Sequence, residues 1–515
     1  MAIGANLSPA NWPQAEKSQA EHQEQTVFPQ KVRPVEGRSA LIAATLAPIA
    51  IQAGIESLKQ GGTAADAAST IALTQVTTAL GSYVSYAGIL QLVYYDSHTH
   101  KLYSLDAGWN SYLAETDPKT IPAIGASPSA EGRKTLVPGF MAGIESMHKR
   151  FGRLPFASLF QPAIWYAENG VTISPLLANY FTSREKYLAR TPEGRNFLHQ
   201  AGDHIPKTGD RFIQTDLAQT LRAVAKHGAA YMYTGNWSRQ FVEAVRREGG
   251  QASLEDMHRY RPVWDEPRSR AFAENSVFAP PGSKILNVLN LVTEKQLDRA
   301  QPYFKDWTVF RDLSNLLQSV ERAPDPPRHS DAIVVVDRWG NVAALVHTSN
   351  TLPWGATGIV VGGIPIPDAA GLQQWRLAAI QPGDRLPNDM APVIVMRGAK
   401  PVMAVASVGA SVLAETARIL LGTLGNHLNL QTVLEAPPLL YNFQPQKAGI
   451  QFVPETAYDS DFLRNLEAAG VHTEKKSRIE VLTIKGTAVV GVVNPETGFW
   501  RTVETPVLFG LAGAY

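Results

Sequence analysis

Hydrophobic and polar positions change rhythm several times along this chain, and the rhythm predicts most of its elements. Across residues 40–61 apolar side chains recur at helical spacing (Leu41, Ile42, Ala44, Leu46, Ile49, Ile51, Ile55, Leu58) until Gly61-Gly62 stops the pattern. Alanine-rich 66–80 predicts a second helix, suited to close packing on a sheet. Residues 89–95 and 102–105 predict a hairpin, and 134–170 a turn followed by helices ending at Gly152 and Gly170. A mainly helical region then runs to about residue 320. Beyond residue 391 strands are expected over 392–397 and 402–406, a helix over 411–421, and final strand pairs at 481–484 and 489–493. Strands and helices without a regular β-α-β rhythm or a fixed repeat predict an α+β layered sandwich. Residues 1–36, polar, rich in Gln, Glu and Pro and without period, read as a mobile amino-terminal arm.

One stretch carries candidate chemistry. Glu321-Arg-Ala-Pro-Asp-Pro-Pro-Arg328 is a polar break whose prolines fit neither a helix interior nor a central strand. After His329 comes Ser330, then the apolar run 332–336, a turn over Asp337-Arg-Trp-Gly-Asn341 and a second apolar run over 342–347. This predicts a buried hairpin with a hydroxyl at its mouth. Chemistry that wants a Ser, Thr or Cys at the head of a core strand is N-terminal-nucleophile catalysis, in which cleavage before the hydroxyl residue frees an α-amine to act as its base. The plainer reading, that Ser330 caps a strand after a proline-rich loop, stays open on these residues alone.

Composition narrows the field. A chain of 515 residues with 44% hydrophobic and 18% charged side chains has ample material for a packed core. Lys+Arg 47 against Asp+Glu 46 leaves a net charge of +1, and no basic tract suggests a nucleic acid or a membrane surface as partner. No cysteine is present, which removes disulfides and thiolate chemistry. His98 and His100 share a turn with no third ligand nearby and read as turn residues, so neither metal nor cofactor is expected. Gly61-Gly62-Thr63 lacks the spacing and the Lys of a phosphate loop and reads as a helix C-cap. The amino terminus has no basic n-region or apolar h-region, and no stretch is long and apolar enough to span a bilayer, so a cytoplasmic location is expected.

Three stretches together resemble the γ-glutamyltransferase (γ-glutamyltranspeptidase) family of N-terminal-nucleophile hydrolases: Ala53-Gly-Ile-Glu-Ser-Leu-Lys-Gln-Gly-Gly-Thr-Ala-Ala-Asp-Ala-Ala68, the run from Val137-Pro-Gly139 to Gly170, and Val335-Val-Asp-Arg-Trp-Gly-Asn341. The likeness implies a four-layer α-β-β-α sandwich, self-cleaved between His329 and Ser330. The parts would be a large subunit through residue 329 (region 37–329 after the arm) and a small subunit 330–515, of 186 residues (515 less 329), with further oligomerisation left open. Ser330 stands where the family usually has a threonine nucleophile; it keeps the hydroxyl and loses the methyl that fixes the rotamer. The two following residues, commonly Thr and His, are Asp331 and Ala332. By the same resemblance Thr348 supports the nucleophile, Asn350 lines the pocket, and Gly409 and Ala410 supply backbone N–H groups to the oxyanion.

The glutamate-recognition set departs from the family. Gly108, followed by Trp109, stands where an arginine grips the substrate carboxylate; Gly371 and Gln374 stand where acidic and amide residues hold its amine; a serine pair becomes Asn388-Asp389. Losing a bidentate cation and gaining an Asp reverses the pocket's preference. The lid between Gln374 and Arg385 is also shorter than usual in the family. The resemblance therefore implies a hydrolase or acyltransferase acting on a small non-glutamyl amide or acyl compound, with Trp109, Asn388 and Asp389 shaping its site. Three alternatives stay open: an unprocessed, catalytically silent ligand- or partner-binding member, true γ-glutamyl transfer, and carbon–carbon bond hydrolysis.

Overall fold

The computed structural model describes residues 4–25, 34–44, 47–123, 131–321, 330–442, 444–504 and 511–514. Two seven-stranded sheets stack face to face between layers of helices. In the first sheet Asp331–Val336 lies between Ala40–Ala43 and Val342–Thr348, with Ile89–Asp96 and Lys101–Ala107 continuing beyond. In the second, Lys400–Gly409 lies between Gly486–Val493 and Val393–Arg397. The pairings within both sheets are antiparallel. This is the four-layer α-β-β-α sandwich that the resemblance implied.

The side-chain period of a strand builds the layers. Along the central hairpin Ala332, Val334, Val336, Val342, Ala344 and Val346 enter the core between the sheets, where Ala404, Ala406, Val408 and Val489 meet them. Ile333, Val335, Ala343 and Leu345 face the other way, onto the helix Ala64–Thr78 and its neighbours. On the far side Val393, Val395 and Val405 pack under Lys284–Glu294, Trp307–Glu321 and Val412–Leu420.

The hairpin is pinned at its tip. Asp337 accepts the Trp339 and Asn341 N–H groups at 2.9 and 3.0 Å and the Ala64 N–H at 2.8 Å, joining the turn to the start of Ala64–Thr78. Thr63 and Asp66 close a capping box on that helix. Gly61, at φ +86°, ends the preceding helix Pro48–Lys59, as the C-cap reading expects. Strands of six and seven residues then carry the open end of the hairpin roughly 20 Å from this anchor.

Four expectations are corrected. Residues 40–61 are not one helix: Ala40–Ala43 is a buried strand and the helix starts at Pro48, because a four-residue apolar run fits either period. Residues 481–484 belong to the helix Arg478–Ile484, whose capping box pairs Ser477 with Glu480. Strands Val263–Asp265, Arg268–Phe272 and Asn275–Ala279 interrupt the region read as helical. The arm read as mobile carries the helix Gln14–Glu24 and buries Leu7, Trp12, Ala20 and Glu24. Among the described residues no helix is long and apolar enough to cross a membrane.

Candidate active site

Antiparallel register decides what lies at the open end of the hairpin. Asp331 pairs with His347, which carries Ser330 to the position opposite Thr348, and Thr348 pairs in turn with Ile89. By the period of two, Ser330 and Thr348 share the face turned to the opposing sheet, while Asp331 and His347 share the face turned to the helices. A cleft opens there. Ser330, Thr348, Asn350, Gly409 and Ala410 all line it, joined by Asn388 and Asp389. His329 lies outside the described residues.

Each of these side chains is held by local chemistry. Asn350 takes the left-handed φ of +54° and donates its N–H to Thr348 Oγ1 at 2.7 Å. The loop that follows is fixed by the buried Asp368, which accepts from the Thr351 hydroxyl and from the Ala356 N–H at 2.9 Å. Burial raises the Asp368 carboxyl, opposed by these hydrogen bonds and by Arg184, which itself holds the Pro353 and Gly355 carbonyls at 3.2 and 2.5 Å. Gly409 ends its strand at φ +95°, and a Cβ there would stand 2.8 Å from the Lys485 carbonyl oxygen. Ala410 then leads into the helix Val412–Leu420, whose positive N-terminal end adjoins the cleft.

On the helical face His347 is fully buried, with Nε2 3.0 Å from Gln75 Oε1 and its ring 5.4 Å from that of Phe140. Burial pushes the imidazole down to about 3, so it is neutral at ordinary pH. Asp331 is buried on the same face; the Tyr83 and Tyr180 hydroxyls are raised first by burial and then by its charge. The departure from the family at Asp331 thus falls on the face turned away from the cleft, and Ala332 enters the core between the sheets.

The expected recognition residues divide. Asn388 and Asp389 line the cleft. Trp109 does not: it is 2% exposed and packs with Ile89, Ala369, Ala370, Leu377 and Leu386 beneath the lid. Gln374 does not either, since its amide donates to the Gly371 carbonyl at 2.8 Å and ties down the lid. Gly108 stands behind the cleft wall, where a Cβ would meet Asp106 Oδ1 at 2.8 Å, Arg385 Cδ at 3.2 Å and Asn388 Nδ2 at 3.4 Å. Arg385 beside it is spent on the protein: it bonds Asn110 Oδ1 at 2.6 Å, the Asp106 and Arg261 carbonyls at 2.8 and 2.7 Å, and pairs with the Asp106 carboxylate at 3.2 Å.

Four titratable lining residues were not anticipated: Lys284, Glu321, Arg376 and Tyr441. Lys284 opens one helix, Glu321 closes another, and Arg376 sits in the short lid helix Gln374–Leu377. The Tyr441 hydroxyl is held well above its ordinary value by burial and then by the Glu321 charge. Nothing in the sequence surroundings of Lys284, Glu321 and Arg376 separates them from ordinary surface charges on helices.

The family described as Gamma-glutamyltranspeptidase matches this chain over residues 50–308 and 313–498. The chain is 24% identical over 488 residues to the Glutathione hydrolase proenzyme of Bacillus subtilis (strain 168), covering 79% of this chain and 81% of that protein. It is likewise 24% identical over 473 residues to the Acylase ACY 1 proenzyme of Pseudomonas sp. (strain V22), covering 79% and 83%. Among solved structures, a cephalosporin acylase from Bacillus halodurans superposes with a TM-score of 0.80 over 95% of this chain and 98% of that one; at 20% identity this likeness speaks for the fold. With the four-layer fold already traced and a family match over most of its length, the chain belongs to the gamma-glutamyltranspeptidase family, as a divergent member of the N-terminal-nucleophile hydrolases and acyltransferases.

Proposed function

We propose that this protein is a self-cleaving amide hydrolase or acyltransferase that uses the Ser330 hydroxyl on a small non-glutamyl acyl compound. The observation that supports this reading is convergence: a strand head (Ser330), the end of its hairpin partner (Thr348, Asn350) and a strand-to-helix turn (Gly409, Ala410) line one cleft.

In processing, Ser330 Oγ attacks the His329 carbonyl carbon, the peptide C–N bond breaks as its nitrogen takes a proton, and water hydrolyses the resulting ester. The product is a free α-amine on Ser330. In turnover that amine accepts the Oγ proton while Oγ attacks the substrate carbonyl. The backbone N–H groups of Gly409 and Ala410, at a helix N-terminus, stabilise the oxyanion; one such donor contributes roughly 3 to 4 kcal/mol in acyl transfer. The proton passes to the leaving amine, the C–N bond breaks, and water or a second amine takes the acyl group from Ser330. Thr348, opposite Ser330 in register, orients the nucleophile. Non-glutamyl selectivity is supported by Gly108 in the arginine's place and by an Arg385 committed to Asp106, Asn110 and Arg261.

Intact-mass spectrometry and denaturing electrophoresis of the wild type and of Ser330→Ala test this. The expected result is a wild type split before Ser330 and an uncut variant, followed by turnover in a screen of amides with γ-glutamyl compounds as the negative control. A single uncut chain in both would overturn the mechanism and leave a binding role for the cleft; turnover confined to γ-glutamyl compounds would overturn the substrate class.

A further inference from the structure

The cleft around Ser330 contains a charge arrangement that its catalytic reading does not use. Asp389 Oδ1 lies 3.3 Å from Lys284 Nζ, its Oδ2 accepts from Arg376 Nη2, and Lys284 Nζ lies 3.4 Å from Glu321 Oε1. All four side chains line the cleft. Arg376 is 5% exposed and stacks on Trp375 at 4.9 Å, so its guanidinium is held in place, whereas the Asp389 side chain is 37% exposed. Two cations and two carboxylates cancel. The anion seat between a fixed guanidinium and an ammonium is filled by the protein's own carboxylate.

Building on the acyl-transfer reading of this site, we propose that Asp389 is its specificity-determining residue: an internal counter-ion that occupies the seat a substrate carboxylate would take and restricts the enzyme to uncharged acyl groups. The physical ground is competition. A bidentate guanidinium–carboxylate pair is the strongest recognition element available for an anion. While Asp389 holds Arg376 Nη2 with one oxygen and lies against Lys284 Nζ with the other, an incoming carboxylate meets a like charge between the two cations. An uncharged acyl group loses nothing by this, and the Asn388 amide beside it offers a neutral contact. Removal of the Asp389 charge takes one negative charge from between Lys284 and Arg376 in a partly enclosed cleft, where electrostatic discrimination is strong.

The test is equilibrium binding, by titration calorimetry, of glutarate and of its neutral diamide to the wild type, Asp389→Asn and Asp389→Ser, each also in the Ser330→Ala background. The expected result is a wild type that prefers the diamide, at least a tenfold gain in glutarate affinity in Asp389→Asn with the diamide unchanged, and loss of that gain at 0.5 M salt or on adding Arg376→Met. A wild type that binds glutarate more tightly than the diamide overturns the proposal without any variant. So does a folded Asp389→Asn or Asp389→Ser protein with no gain, or with equal gains for both ligands. Binding does not require cleavage or turnover. An uncut wild-type chain whose Asp389→Asn form gains glutarate would refute the catalytic reading and leave the counter-ion in place.

Discussion

Glu24 allows a perturbation whose size follows from the structure. It ends the helix Gln14–Glu24, is 3% exposed, and accepts the Ile49 N–H at 3.2 Å with Oε2, in the first turn of Pro48–Lys59. Burial pushes its carboxyl from an ordinary value near 4.5 up to about 7, with the Ile49 bond pulling the other way. A carboxyl raised by folding binds its proton more tightly in the folded state. Below about pH 4.5 both states are protonated and folding carries no penalty. From there to about pH 7 the unfolded state is ionised first, so stability falls by about 1.4 kcal/mol per pH unit. Above about pH 7 the penalty is constant at roughly 3 kcal/mol. Glu24→Gln keeps an acceptor for Ile49 and removes the titration. Hydrogen-exchange mass spectrometry on peptides spanning this helix reads its local opening. At pH 5 the two proteins should be protected within a few-fold of each other; at pH 8 the variant should be protected tens of times to about a hundredfold more, as roughly 3 kcal/mol requires. A variant-to-wild-type ratio that does not change with pH, or a wild type that gains protection relative to the variant as pH rises, would refute the reasoning.

Gly409→Ala forces a Cβ into a left-handed backbone 2.8 Å from the Lys485 oxygen and should turn its N–H away, lowering kcat on an amide substrate by roughly 100- to 1,000-fold; Ala410→Gly should stay within a few-fold, and equal losses would count against the oxyanion assignment. Because folding lowers the His347 pKa to about 3, the stabilisation is full above about pH 6.5 and is lost as pH falls toward 3, so urea midpoints of the wild type relative to His347→Gln should drop by the equivalent of about 2 to 3 kcal/mol between pH 7 and 4.5. Gly108→Arg should not create γ-glutamyl hydrolysis, since its Cβ would press on Asp106 and Arg385, and a melting temperature lowered by the equivalent of about 1 to 3 kcal/mol is expected. Asp331→Asn, on the helical face of its strand, should leave self-cleavage within about threefold of wild type by timed electrophoresis; a folded but uncut variant would place that carboxylate in the chemistry.

Legibility tracked the length scale of the physics. The hairpin was readable because proline, β-branched runs and an Asp-to-Asn turn each act over a few residues. The fold class was readable from the mixture of periods together with the family resemblance. Helix Arg478–Ile484 was not: its Ile479, Val481, Thr483 and Ile484 favour a strand, and the Ser477–Glu480 capping box outweighs them. Helix Gln14–Glu24 was not, because it is held less by an apolar stripe than by single polar anchors: Glu16 to Gln52 and Lys59, and Lys17 over the Trp165 ring at 3.8 Å. An aromatic beside a missing arginine reads from sequence as a pocket residue, but the chain after Lys101–Ala107 turns the Trp109 ring under the lid instead. Lys284, Glu321 and Arg376 become one cluster only after chain segments far apart in sequence are packed together.

The same geometry accounts for how this chain could diverge without losing its cleft. A strand segregates its neighbours onto two faces, so Ser330 and Asp331 answer to different surroundings although they are adjacent in sequence. The proposed mechanism asks of the cleft face a hydroxyl opposite Thr348 and a left-handed turn at Gly409, and both are present. The helical face needs only a packed and electrostatically tolerable interior, and a carboxylate there sits among tyrosines and a neutral histidine. The proposed recognition residues are separated again, since Arg376 comes from the lid, Asn388 and Asp389 from the segment that follows it, and Lys284 and Glu321 from helix ends, none of them on the hairpin. On the proposed reading, changes of charge in the lid and the segment after it alter which acyl group is admitted while the strand that presents the hydroxyl stays in register.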